Sequence, residues 1–142
     1  MRLWSRPFHE LDTFGFLGQW REALICQNAI KARLENRKFG WSRHPQVTRM
    51  LEAESPVSAI GHYLYHLYLE SKRRNYSFNF SLIDKPTEIY PPLPISSKQL
   101  LYELYILLLR LKVRAPDSYK AIISRIQSDP TQAVKPCPTF YV

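Results

Sequence analysis

Apolar positions recur at helical spacing in three long stretches of the chain. In the first, Leu17, Trp20, Leu24, Ile30 and Leu34 form a stripe that predicts a helix from a cap at Asp12 or Thr13 to about Asn36. In the second, Val57, Ile60, Leu64 and Leu67 follow Ser55-Pro56, a serine cap with proline at the first helical position. That stretch closes with Lys72-Arg73-Arg74-Asn75, cations where the helix dipole favours them and a residue suited to the C-cap. In the third, Leu100, Leu104, Leu107, Leu108 and Leu111 follow a cap at Ser96 or Ser97, with Glu103, Arg110 and Arg114 aligned on another side. Short helices are predicted over residues 46–54 and 119–126, with Pro116-Asp117-Ser118 interrupting before the latter. Residues 77–84 alternate Phe78, Phe80 and Leu82 with polar positions; having no evident partner strand, they read as an extended strap across the core. Four prolines make residues 86–94 irregular, residues 1–11 form an extended lead, and the apolar tail from Pro136 is expected to dock. The pattern predicts a compact all-α domain spanning residues 1–142, with three long helices and several short ones.

Composition narrows the class. At 142 residues the chain is long enough for one core, and 45% hydrophobic with 13% aromatic residues excludes a disordered chain. Twenty Lys and Arg against 12 Asp and Glu give a net charge of +8, which points to a polyanion, nucleic acid ahead of a membrane surface. No apolar run approaches the ~20 residues of a membrane span. The opening lacks the apolar core of a signal peptide, since Pro7, His9, Glu10 and Asp12 stand there. Two cysteines, Cys26 and Cys137, make no disulfide framework, so a reduced, intracellular (cytoplasmic) chain is expected.

Few constellations carry chemistry. His62 and His66 stand at i and i+4, a metal-compatible spacing, but no further ligands follow a recognisable pattern, and packed or solvated histidines are the simpler reading. Four glycines form no phosphate loop, and no metal or cofactor is expected. The connection Arg37-Lys38-Phe39-Gly40-Trp41-Ser42-Arg43-His44-Pro45 is either a solvated loop pinned by two aromatics or a DNA-contacting loop. On the first helix, Arg21-Glu22 puts a carboxylate beside an arginine. At ~3.6 residues per turn Glu22 shares its stripe with the small residues Gly15, Gly18, Cys26 and Ala29. The two glycines cost helix stability, roughly 1 kcal/mol each, which close approach of another segment would offset. An isolated Arg-Glu pair is ordinarily a solvated ion pair.

The opening changes that reading. Met1-Arg2-Leu3-Trp4-Ser5, then Leu11-Asp12, then Trp20-Arg21-Glu22-Ala23-Leu24 resembles the pyrimidine-dimer DNA glycosylase and AP lyase family, the phage endonuclease V-like enzymes. The resemblance continues through His44-Pro45-Gln46 and the stretch from Glu70 to Asn79. Beyond Asp84 it is confined to Leu111-Lys112-Val113-Arg114, Tyr119 and the Pro-Thr-Phe tail. It implies an all-α fold with the extended N-terminus lying across the helices, and a monomer acting on double-stranded DNA without a membrane or metal. It also implies attack by the chain's own α-amino group, that of Met1, on C1′ of the damaged nucleotide, with Glu22 as acid/base. Arg2 and Arg21 are the implied substrate-binding residues, and Arg43, His44, Arg73 and Arg110 are further candidate contacts.

The chemistry is reasonable for these groups. An α-amine has a pKa of about 7.7–8.0, against about 10.4 for lysine, so a useful fraction is unprotonated near neutrality. Arg2 and Arg21 nearby would lower it further. Two departures from the family pattern stand out. Arg2 is too large for ordinary initiator removal, which leaves Met1 itself in the nucleophile's place. Ile25 replaces a phosphate-contacting arginine, for which Arg6, Arg43, Lys72, Arg73 or Arg110 are candidate substitutes. Trp41, Phe140 and Tyr141 are candidate wedges into distorted DNA. The competing readings are a non-catalytic basic DNA-binding or repair-adaptor module and, among enzymes, an AP lyase for another base lesion.

Overall fold

The computed structural model describes residues 4–142. Among them are five α-helices: α1 (Thr13–Leu34), α2 (Pro45–Leu51), α3 (Pro56–Arg73), α4 (Ser97–Arg114) and α5 (Pro116–Ser128). Two short strands, β1 (Leu93–Pro94) and β2 (Phe140–Tyr141), pair in parallel. The architecture is all-α with three long helices, as the periodicity predicts. None of the described helices is long and apolar enough to cross a membrane. The chain divides into two compact units, one of Met1–Gln19 with Pro92–Val142 and one of Trp20–Pro91. Helix α1 supplies its first turns to the former and the rest to the latter.

In the first unit, Asp12 caps α1: its Oδ1 accepts from the Gly15 amide at 3.3 Å and from Arg114 Nη2 at 2.9 Å. A Cβ on Gly15 would lie 2.8 Å from that same oxygen, so the glycine makes room for the cap. At Gly18, nothing among the described residues comes within 4 Å of such a Cβ, so no described segment offsets its helix cost by close approach. Ser96 caps α4 by accepting from the Gln99 amide at 3.1 Å. Leu100, Leu104, Leu107 and Leu111 are buried. So is Glu103, contrary to its expected place on a polar side. Its neighbours at i−3 and i+4 are Leu100 and Leu107, which puts it on the buried stripe, where its carboxylate accepts from the Ser5 amide at 2.9 Å and from Gln99 Nε2 at 3.2 Å. Helix α5 begins at Pro116 itself, because proline fits the first helical position; the break falls at Ala115 instead.

The described part of the lead differs from expectation. Residues 4–11 are not extended: a turn at Trp4 and Ser5 leads into a 3-10 helix, Phe8–Glu10, and Trp4, Phe8 and Leu11 are buried. Arg6 is fully buried and bound to Glu10 through Nε at 2.9 Å and Nη2 at 2.8 Å, and its Nη1 donates to the Ala133 carbonyl at 2.6 Å. The tail docks as predicted: the Cys137 amide donates to the Ser5 carbonyl at 2.7 Å, and the Leu93 and Ile95 amides donate to Thr139 and Tyr141.

In the second unit, α3 buries Ile60, Tyr63, Leu64 and Leu67. Its end is a Schellman turn: Asn75 sits at φ 60°, a left-handed position that asparagine tolerates, and the Tyr76 amide donates to the Ser71 carbonyl at 2.8 Å. Residues 77–84 form no strand. Asn79 Oδ1 accepts from the Ser81 amide at 3.1 Å, and this local turn yields a 3-10 helix, Phe80–Leu82, with Phe80 and Leu82 exposed. The segment is nevertheless a strap. Gln27 on α1 clamps it, donating to the Leu82 carbonyl at 2.9 Å and accepting from the Asp84 amide at 3.0 Å, while Lys31 pairs with Asp84 at 2.7 Å.

Gly61 on α3 marks where the chain after the strap approaches most closely. A Cβ there would fall 1.9 Å from the Lys85 carbonyl oxygen, a backbone atom that cannot swing aside. Gly61→Ala is therefore expected to destabilise the fold by about 2–3 kcal/mol, in the upper range for overpacking, read as a lower urea midpoint.

Candidate active site

The candidate arginine and acid/base stand one and two residues past a fixed point. Trp20 is buried and its ring stacks on Phe78, centroids 4.6 Å apart and planes 28° apart, which joins the strap to α1. Arg21 then emerges into solvent and Glu22 is half-buried. One turn on, Cys26 and Ala29 are wholly covered and Ile25 is exposed. The proposed nucleophile Met1 and its neighbour Arg2 lie outside the described residues.

Neither thiol competes as a nucleophile. Cys26 and Cys137 are buried and not joined in a disulfide, and burial pushes the Cys26 thiol up to about 12, only partly opposed by the Arg49 charge.

The candidate substrate-binding residues fall on separate elements. Arg43 is exposed in the turn before α2. His44 serves the fold there: its ring lies parallel to Trp41, 4.0 Å between centroids and 4° between planes, and its Nδ1 accepts from the Gln46 amide at 3.2 Å to cap α2. Trp41 thus has a partner within its own turn. Arg73, in the last turn of α3, is exposed and paired with Glu70, which also binds Arg74. Burial raises the Glu70 pKa, but the hydrogen bonds and charges of Arg73 and Arg74 outweigh it and hold the carboxyl below its usual range. Arg110 is half-buried on α4 and belongs to the first unit, whereas Arg21, Glu22, Arg43, His44 and Arg73 all belong to the second.

Two expectations are corrected. Arg6 cannot replace the arginine missing at Ile25, because its guanidinium has no solvent access and is consumed by Glu10 and the Ala133 carbonyl. Phe140 is buried in the docked tail and is no wedge, although Tyr141 beside it is half exposed. Arg6 and Glu10 stand at i and i+4, a spacing that signals a pair only where the chain is helical, which the lead is not expected to be. The further junction with Arg125 Nη2, 2.6 Å from Glu10, had no local signal.

His62 and His66 face one another with Nε2 atoms 3.1 Å apart. Among the described residues no group of three or more His, Cys, Asp or Glu side chains gathers to hold a metal. Burial, and then the neighbouring His66, push the His62 pKa down from 6.5 to about 4; burial likewise lowers His66, with Glu88 opposing. A histidine depressed in the folded state stabilises the fold fully above its unfolded pKa. That contribution is lost as pH falls from about 6.5 to about 4. Relative to His62→Gln, the wild type should lose on the order of 2 kcal/mol over that window, measured by urea unfolding at pH 7.0 and 4.5.

These features define a basic all-α protein with a half-buried carboxylate beside a solvent-facing arginine. A family model for pyrimidine dimer DNA glycosylase matches residues 1–84, more than half the chain and including the opening, Arg21, Glu22 and the strap. The chain belongs to the pyrimidine dimer DNA glycosylase family, and its function is of that type, with DNA as substrate. No curated protein and no solved structure gives a significant match.

Proposed function

We propose that the chain is a bifunctional glycosylase and AP lyase that acts on duplex DNA at pyrimidine dimers. The α-amino group of Met1 attacks C1′ of the damaged nucleotide, and the glycosidic bond breaks with its electron pair leaving on the base. The sugar ring opens as the C1′–O4′ bond yields, giving an imine between Met1 and C1′. Loss of a C2′ proton then drives cleavage of the C3′–O bond, which releases the 3′ phosphate and cuts the strand. Glu22 carries the protons: it protonates O4′ as the ring opens and accepts the C2′ proton in the elimination. Arg21, exposed beside it, holds a flanking phosphate, with Arg2, Arg43, His44, Arg73 and Arg110 as further contacts. The reaction requires the nucleotide to be exposed by bending or flipping, at a cost of a few kcal/mol that phosphate contacts offset. A protein of this kind belongs in the cell interior with its DNA.

The observation that carries this reading is the family match across residues 1–84, which contains both Met1 and Glu22. The inert environment of Cys26 is in keeping with an amine nucleophile. Borohydride reduction during reaction with a dimer-containing duplex should leave protein covalently joined to DNA, with mass spectrometry placing the link on the Met1 amine. A link on a lysine would refute the N-terminal mechanism, and the absence of any link would favour a non-catalytic DNA-binding module.

A further inference from the structure

Helix α4 is apolar on two opposite sides. Leu100, Leu104, Leu107 and Leu111 are buried, and across the helix from them stand Leu101, Tyr102, Tyr105, Leu109 and Val113, each between 48% and 83% exposed. A helix that is apolar all round is ordinarily covered all round. Five of the fifteen exposed large hydrophobic side chains among the described residues thus gather on one face of one element. Together they leave roughly 600 Å² of side chain in water, the size of the largest patches on monomers, which are often functional. The exposed residues of α4 include no Asp or Glu, and the exposed cations Lys98 and Lys112 stand toward its two ends.

The spacing on this face says what covers it. Leu101, Tyr105, Leu109 and Val113 stand at i, i+4, i+8 and i+12, one continuous ridge of the helix. Two such ridges interdigitate when the helix axes cross at about 50°, the commonest class of helix packing. Laid antiparallel against its own two-fold image, the ridge sets Leu101 of one copy beside Val113 of the other, and Tyr105 beside Leu109. Every ridge residue then meets an apolar one, and a two-fold contact requires only this single patch. The ridge itself is uncharged, so two chains of net charge +8 can meet along it without cations placed directly opposite one another. A patch of roughly 600 Å² on each copy gives about 1,200 Å² in all, the lower bound of a stable interface. We infer that the outer face of α4 is a homodimer interface, with the Leu101–Val113 ridge packed antiparallel on the same ridge of a second copy. Of the proposed DNA contacts only Arg110 shares this helix, and it is half-buried and off the ridge, so the interface uses none of the reacting groups.

Sedimentation equilibrium of the whole chain without DNA tests it. The mass should rise from 16.8 kDa toward twice that value as concentration passes through the micromolar range, as suits an interface of this size. Added salt should tighten the dimer severalfold, because it screens the repulsion between two basic chains, whereas it weakens DNA binding. Leu109→Glu, which sets a carboxylate on the ridge at a half-exposed position, should stay monomeric throughout with an unchanged urea midpoint. Tyr105→Ser, which removes the ring without adding charge, should weaken association severalfold. Oxidation of a mixture of Leu101→Cys and Val113→Cys chains should join one variant to the other, with neither joining itself. A wild type that is monomeric up to about 100 μM, or a dimer indifferent to Leu109→Glu, overturns the interface. Self-joining of Leu101→Cys overturns the antiparallel packing. A monomeric wild type that binds phosphatidylglycerol vesicles, with Leu109→Glu abolishing that binding, would assign the face to a lipid surface and overturn the dimer equally. Duplex affinity reduced by Leu109→Glu while the wild type is monomeric would assign it to DNA, with the same consequence.

Discussion

Glu22→Gln is expected to lower strand cleavage by about 10²–10⁴-fold, the ordinary range for loss of a positioned acid/base. Glutamine matches glutamate in size and keeps a carbonyl acceptor and an amide donor, so the half-buried side chain loses no packing. What it lacks is a proton that can be given up and taken back. Duplex affinity should change by no more than about twofold, because affinity for DNA comes chiefly from phosphate contacts by cations. A radiolabelled nicking assay on dimer-containing duplex reads the first quantity and a gel shift reads the second. Covalent trapping separates the steps further, since a variant that forms the imine but fails to eliminate would accumulate reducible adduct. Cleavage at the wild-type rate would leave Glu22 as a structural residue of α1 and remove the acid/base role from the proposal.

The parts of the fold legible in the sequence are those encoded locally. Ser96 and Asp12 cap the helices expected of them, Pro56 opens α3, and the leucine stripe of α4 faces inward. Some misses depend on partners far away along the chain, and others on local side-chain turns and pairs that hydrophobic periodicity does not register. Glu103 is expected beside Arg110 and Arg114, away from the leucine stripe of α4, and Arg6 in an extended lead, free to contact phosphate. Both are completely buried, because Ser5 satisfies the first and Glu10 and Ala133 the second. The alternation over residues 77–84 suggested extended chain, yet the Asn79 side chain turned it into a 3-10 helix while Gln27, more than fifty residues earlier, held it in place. Arg21 and Glu22 stand out as site candidates only through the opening motif. That His44 would cap α2 through Nδ1, and that Arg73 would be engaged by Glu70, required three dimensions.

The buried charges predict the largest effect on stability. Glu10 accepts from Arg6 and from Arg125, and neither Arg6 nor the Glu10 carboxylate has appreciable solvent access. Glu10→Gln would leave the Arg6 guanidinium buried with a neutral partner, and breaking a buried pair in this way typically costs about 3–5 kcal/mol. Arg125 would suffer less, since its side chain is about one-third exposed, 34%, and can turn to water. The cost reflects an unpaired buried charge and not the net worth of the pair, so removing both charges should recover most of it. Arg6→Met/Glu10→Leu is therefore expected to be more stable than Glu10→Gln in urea unfolding at pH 7, at or near wild type, as apolar replacements of buried pairs often are. If the double variant were as unstable as the single one, the hydrogen bonds from Arg6 to the Ala133 and Gln132 carbonyls would be the essential contribution. In that case the guanidinium acts as a clamp on the 3-10 helix Pro130–Val134, with Glu10 serving mainly to aim it.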